Sequence, residues 1–196
     1  MSQVQINVGS PAIAERVVLH VGCGHYHPSR LHATFHEPGW REVRLDIDPD
    51  VKPNIVSSIV SMPMVASASV DAVWSSHNLE HLYAHEVRLA LAEFFRILKP
   101  GGFALITLPD LQAVAQLVAD DRLEDTAYIS PSGPIAPLDM IYGYRPSVAA
   151  GNLFMAHHTG FTAKTLGNAL LAAGFARVHL TRDGSFGLWA QAEKDA

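Results

Sequence analysis

Apolar runs separated by short polar breaks organise this chain, and the first clear run is the most informative. Val17-Val18-Leu19-His20-Val21 is rich in β-branched residues and stops abruptly at Gly22-Cys23-Gly24. The pattern predicts a buried strand that delivers its carboxyl end to a turn where glycines let the main chain approach a ligand. A strand running into Gly-x-Gly is how doubly wound α/β proteins open a nucleotide site. Trp40–Leu45, closing on Asp46-Ile47-Asp48-Pro49, reads as the second strand, Asn54–Ser58 as a short extended segment, and Ser69–Ser76 as a further strand. Between Gly24 and Pro38-Gly39 there is room for one short helix.

The period then changes. Val87, Leu91, Phe94, Phe95 and Leu98 recur at helical spacing, which predicts a helix over Glu86–Leu98, stopped by Lys99-Pro100-Gly101-Gly102. Phe103–Leu108 is the next strand, and Asp110 caps a helix running to Ala119. Thr162 caps a helix over Ala163–Ala173, and two last strands, Ala176–Thr181 and Phe186–Ala192, flank a hairpin turn at Arg182–Ser185. Alternating strands and helices predict an α/β fold, a doubly wound, mostly parallel, Rossmann-like sheet of seven strands with helices on both faces and a C-terminal antiparallel hairpin strand. Residues 1–10 read as a loose lead-in, with at most a short helix over Pro11–Arg16. The regular alternation lapses between 120 and 160, where Pro131, Pro134, Pro137 and Pro146 leave space for one short helix near Asp139–Tyr142. That stretch is too long for an ordinary connection and is expected to be a lid-like insertion in a single domain over 1–196.

Composition narrows the partners. The 196 residues carry a formal net charge of -5 without a long Lys/Arg run, which argues against a nucleic-acid polymer held by its phosphates. Cys23 is the sole cysteine, so there is no intrachain disulfide and no cysteine-based zinc cluster. No stretch has the length of a membrane span and the first residues lack a signal pattern, so a cytoplasmic protein is expected, of unknown oligomeric state.

Six segments, in this order, resemble class I S-adenosylmethionine-dependent methyltransferases. They are Leu19–Gly24, Leu45–Pro49, Ser69–Val73, Asn78–Leu82, Phe95–Gly102, and Thr159–Thr162 with Ala172–Phe175. Pro38-Gly39-Trp40 and the short helix before it are most similar to a small bacterial, type 11-like subgroup whose substrates are poorly defined. The resemblance implies methyl transfer from S-adenosylmethionine to a small-molecule or glycan acceptor. It implies that Gly22, Cys23 and Gly24 pass under the methionine and ribose of the cofactor. Asp46, about 20 residues beyond the glycines, would accept both ribose hydroxyls. Ile47, Ser58, the Ile59 backbone and apolar walls such as Met62 would hold the adenine, with Ser76 near the cofactor at the end of its strand. Ser58 stands where many relatives have an aspartate. His20 stands where they carry an acid or amide, and is either a cofactor contact or a buried histidine satisfied locally. Cys23 reads as a small filler of the turn.

An acceptor oxygen or nitrogen also needs its proton removed, which suits a histidine titrating near neutral pH. His77, beside the cofactor, His81, on the substrate side, and His157 are the catalytic candidates, together with Tyr142. Two alternatives go with these residues. His77-Asn78-Leu79-Glu80-His81 matches H-x-x-E-H, a zinc-hydrolase pattern, with His157-His158 as the source of a third ligand, although the run straddles a strand exit and a helix start. Ser58 and His20 are equally compatible with a regulatory protein that binds the cofactor without catalysis. The metal-free methyltransferase is the principal expectation.

Overall fold

A computed structural model describes residues 15–196. The expected lead-in and most of the expected short helix at 11–16 lie outside those residues, and Arg16 is already in the first strand. That strand, β1 (Arg16–Val21), pairs in parallel with β2 (Trp40–Asp46) on one side and β4 (Val70–Ser76) on the other. The short β3 (Ile55–Val56) pairs in parallel with the outer side of β2 and forms that edge of the sheet. Helix α1 (Ala84–Ile97) crosses from β4 to the twelve-residue β5 (Leu98–Pro109), which is followed by α2 (Leu111–Ala119). A two-stranded ribbon, β6 (Tyr128–Ser130) and β7 (Gly133–Ile135), then precedes two short helices, α3 (Pro137–Tyr142) and α4 (Arg145–Ala149). Helix α5 (Ala163–Ala172) returns the chain to the sheet as β8 (Arg177–Arg182) and β9 (Gly187–Glu193).

The seven-stranded sheet has the order β3-β2-β1-β4-β5-β9-β8, parallel except for β9, which runs antiparallel to both β5 and β8. This is the Rossmann-like order of class I methyltransferases. Residues 120–160 hold more regular structure than four prolines allow from pattern alone, because Gly133 sits at φ +116 in the ribbon and Pro137 and Pro146 occupy first-turn helix positions, where a missing N–H costs nothing.

Among the described residues the two sheet faces are covered differently. Leu19, Val21, Val73 and Ile106 point to the face covered by α1 and α5, whose Leu91, Phe94, Leu166 and Leu170 complete the main core. The other face carries Val18, Ala72 and Trp74, packed by Phe35 and by partly buried residues such as Leu31, Trp40, Phe103 and Leu105. The single helix expected between β1 and β2 is instead two 3-10 turns, Pro28–Arg30 and Ala33–His36, each started by a histidine ring, His27 and His32, that accepts a backbone N–H. Pro28 and Pro38 bound too short a run for an α-helix to grow.

Two family-like segments prove to be structural. The Asp71 carboxylate accepts from Val17 N–H at 2.8 Å and from Lys99 Nζ at 2.9 Å, tying β1, β4 and the start of β5 together. A Cβ on Gly102 would stand 2.9 Å from the Asp71 carbonyl oxygen, and Gly101 sits at φ +73. Glycines there let β5 bulge past Asp71. This knot lies at the amino ends of the strands, away from the crevice. Burial pushes the Asp71 carboxyl up, but Lys99 and the Val17 N–H outweigh it and hold the pKa below its ordinary 3.8. A depressed carboxylate stabilises the fold above its unfolded pKa and loses that contribution as pH falls through the folded value. Asp71→Asn is therefore expected to lower stability by about 1–2 kcal/mol at pH 7, with the difference vanishing in acid. Urea unfolding at both pH values checks this, and a pH-independent difference contradicts it.

Candidate active site

The crevice opens beyond the carboxyl ends of β1, β2 and β4. Gly22 and Gly24 both adopt φ +59, which glycine reaches without strain. Each is also crowded: a Cβ on Gly22 would lie 2.6 Å from Asn78 Cγ, and one on Gly24 would lie 2.8 Å from an Arg30 guanidinium nitrogen. Asp46 is 9% exposed at the end of β2. One of its oxygens accepts from Gly24 N–H at 2.8 Å and the other from Asp48 N–H at 3.0 Å. Each oxygen keeps a further lone pair for a ligand. Gly22, Cys23, Gly24 and Asp46 thus meet as expected from their spacing.

Arg44 fastens this turn from beneath. Its guanidinium donates to the carbonyls of Gly24 and Lys52 and lies 5.5 Å from the Tyr26 ring centre. The hydrophobic pattern did not single Arg44 out, since a charged residue in a half-buried strand reads as solvent-facing. Cys23 is 1% exposed, and burial pushes its thiol up to about 11 against the opposing charge of Arg44. Native protein is expected to resist iodoacetamide at pH 8 and to react once unfolded, as mass spectrometry would register. Rapid labelling of the native chain contradicts the filler role.

The adenine-side candidates fall together on the β2–β3 side. Ile47 is exposed, Ser58 half-buried and Ile59 buried, with Met62 fully buried behind them. Ser57 N–H donates to the Asp46 carbonyl at 2.9 Å, which sets that segment beside Asp46. Ser76 is half-buried at the end of β4. His20 lies elsewhere: it is 3% exposed on the Trp74 face of the sheet, with Nδ1 2.6 Å from Glu42 Oε1 and Trp74 beside it.

Beyond β4 the chain turns sharply. His77 adopts φ +48, and Leu79–His81 form a 3-10 turn. The turn aims Glu80, 1% exposed, inward. Glu80 Oε1 accepts from His77 Nδ1 at 3.2 Å, while Glu80 Oε2 and Asn78 Nδ2 are buried without a partner. Burial pushes the Glu80 carboxyl up, but the His77 hydrogen bond and charge outweigh it and keep it ionised. Main-chain hydrogen bonds from His158 and Thr159 to the Glu80 carbonyl bring the 157–159 segment across. His81 and His157 then meet edge to face, 4.8 Å between ring centres. Burial lowers the His157 pKa, with the Glu80 charge only partly opposing it, so the ring is neutral at pH 7.

Glu80, His157 and Thr159 form the polar side of a cavity of about 250 Å³ whose apolar walls are Pro109, Leu111, Met140 and Ile141. Tyr142, 64% exposed, stands at its rim. The three candidate histidines therefore converge on Glu80. Asn78, beside Gly22, and Glu80, at the cavity, sit on one turn and join the two halves of the crevice. Sequence reasoning marked both within motifs but gave neither a place in the expected methyltransferase site.

Comparison with known proteins agrees with this architecture. The family described as Methyltransferase domain matches residues 19–106. Among solved structures, an S-adenosylmethionine-dependent methyltransferase from Mesorhizobium loti has a TM-score of 0.60 at 18% identity, covering 94% of this chain and 94% of that one. A Burkholderia thailandensis 1,6-didemethyltoxoflavin N1-methyltransferase, solved with that substrate and S-adenosylhomocysteine, scores 0.58 at 17% identity, covering 93% of this chain and 72% of that one. A possible exported protein from Bordetella parapertussis scores 0.61 at 19% identity; the match covers 93% of this chain but only 64% of that longer one. No curated protein matches the chain by sequence.

Proposed function

We propose that this chain, whose residues 19–106 match the methyltransferase domain family and whose sheet has the class I order, methylates a small molecule held in the cavity beside Glu80. The residues of the crevice fit S-adenosylmethionine. Gly22 leaves a cradle that any Cβ would fill, and the buried Asn78 amide beside it has a donor free for the methionine end. Asp46 has lone pairs for the ribose hydroxyls, and Ile47, Ser58 and Ile59 would flank the adenine. Bound there, S-adenosylmethionine supplies a sulfonium methyl: the acceptor–CH₃ bond forms, the S–CH₃ bond breaks and the electron pair stays on sulfur.

The chain's own task is to hold an acceptor atom in line with that methyl at ~3–3.5 Å and to accommodate its proton. The Glu80–His81–His157 cluster serves the second need, and the apolar walls of the cavity serve the first. The 120–160 segment acts as a lid that excludes water, with α3 forming one wall. At about 250 Å³ the cavity is near the small end of ligand pockets, which favours a compact acceptor over a glycan chain. Cytoplasmic residence belongs to the same reading; among the described residues no helix is long and apolar enough to cross a membrane.

The observation that carries the proposal is the single turn, Asn78 to Glu80, that joins the glycine cradle to the cavity. Methyl-labelled S-adenosylmethionine incubated with small phenols, hydroxy acids and amines tests it. Label transfer to a compact acceptor is expected. Transfer confined to polysaccharide or RNA, or to no acceptor at all while the cofactor binds, would overturn it.

A further inference from the structure

We propose that Glu80, His81 and His157 form a site for one first-row divalent cation, zinc foremost, at the edge of the acceptor cavity, which Glu80 and His157 line. The three residues offer two imidazole nitrogens and one carboxylate oxygen, all within 4.8 Å of one another. Two histidines and a carboxylate, with further positions open, suit such ions.

The hydrogen bonds around the cluster make the assignment specific. His81 Nδ1 lies 3.1 Å from the Ala156 carbonyl and His157 Nδ1 lies 2.9 Å from the Met140 carbonyl. A carbonyl can only accept, so both Nδ1 atoms carry a proton and Nε2 is the nitrogen left to ligate a cation on each ring. Anchoring one ring nitrogen on a carbonyl so that the other can ligate is the usual support of a metal-binding histidine. Glu80 is anchored in the same way, with Oε1 on His77 and Oε2 buried with no partner. An orphaned buried carboxylate oxygen is costly unless a hydrogen-bond donor or a cation meets it. Tetrahedral bonds of ~2.1 Å place donor atoms roughly 3.4 Å apart, so small side-chain rotations draw the three onto one ion.

The arrangement differs from the zinc-hydrolase pattern noted in the sequence. The H-x-x-E-H run is not one helical face, since a left-handed His77 precedes a 3-10 turn. His77 supports Glu80 and His157, from the lid, takes the ligand's place. The cation's use rests on the methyltransferase reading: an acceptor hydroxyl bound at an open position loses its proton to solvent near neutral pH and becomes the nucleophile. The site itself stands on geometry alone.

The test is titration of the full chain, without a histidine tag, with Zn²⁺ by calorimetry and with Co²⁺ by visible absorption. S-adenosylhomocysteine affinity and circular dichroism are measured on the same samples. One equivalent of metal is expected, with affinity weakened on the order of 100-fold or more in His157→Ala and in Glu80→Gln. His179→Ala, an exposed histidine far from the cluster, should match the wild type. His157→Gln repeats the test should the alanine variant misfold. Failure of the folded wild type to take up one equivalent, or equal uptake in the folded His157 variants, overturns the proposal. Cofactor affinity separates the two readings: metal binding without S-adenosylhomocysteine binding sinks the function, and the converse sinks only the metal site.

Discussion

Asp46→Ala is expected to weaken S-adenosylhomocysteine binding by on the order of 100-fold while leaving the fold intact. Two losses combine. The ribose hydroxyls lose a carboxylate acceptor, and Gly24 N–H and Asp48 N–H lose the oxygens that hold the glycine turn at 2.8 and 3.0 Å. Hydrogen bonds to a charged group contribute roughly 1.5–3 kcal/mol each, and about 2.7 kcal/mol is a hundredfold in affinity. Asp46→Asn should fall between, because its amide keeps one acceptor but turns an NH₂ toward an N–H donor. Calorimetric titration of the two variants checks the order. Equal affinity for wild type and Asp46→Ala would remove the ribose role.

The second large effect is expected at Gly143, which caps the end of α3. Gly143 sits at φ +97 and bridges to Ala156, and an added Cβ would stand 2.0 Å from the Met155 carbonyl oxygen. That neighbour is backbone and cannot rotate aside, so Gly143→Ala must open the bridge. The strand it displaces carries Ala156, whose carbonyl anchors His81, and His157, whose Nδ1 anchors on Met140 of α3. Both rings lose their alignment. A misplacement of about 1 Å costs on the order of 100-fold in turnover, so kcat/KM for the acceptor should drop by that factor. S-adenosylhomocysteine affinity should hold within about twofold, since the glycine turn is untouched; that limit corresponds to ~0.4 kcal/mol. Steady-state kinetics beside calorimetry separates the outcomes. A parallel loss of both would mean that the substitution unfolds more than the segment around the Gly143–Ala156 bridge.

What could be read before the structure follows from how local each signal is. The strands, α1 and the glycine turn are written in runs of neighbouring residues, where alternation and helical spacing are direct consequences of backbone geometry. The partnership of the turn with Asp46 was also legible, because chain order in a βαβ unit brings those strand ends together. The connection between β1 and β2 was not. Predicting helices on both faces assumed that every crossover has room for one, whereas two prolines and capping histidines turn residues 28–36 into 3-10 turns. The Lys99–Gly102 segment was legible as a family mark but not as a knot on Asp71, since that pairing crosses 28 positions. The Glu80 cluster was half visible. His77, Glu80 and His81 stood in one motif, but the contact of His81 with the Ala156 carbonyl spans 75 positions, and no local pattern carries it. His20 was left open between cofactor and core, and its position on Glu42 is compatible with the locally satisfied alternative.

The account stands most directly on cofactor binding by the unmodified chain. Titration of the wild-type protein with S-adenosylhomocysteine is predicted to give one molecule bound per chain at roughly micromolar Kd, near -8 kcal/mol. Absence of a binding isotherm with either S-adenosylhomocysteine or S-adenosylmethionine, from protein shown to be folded, would contradict it.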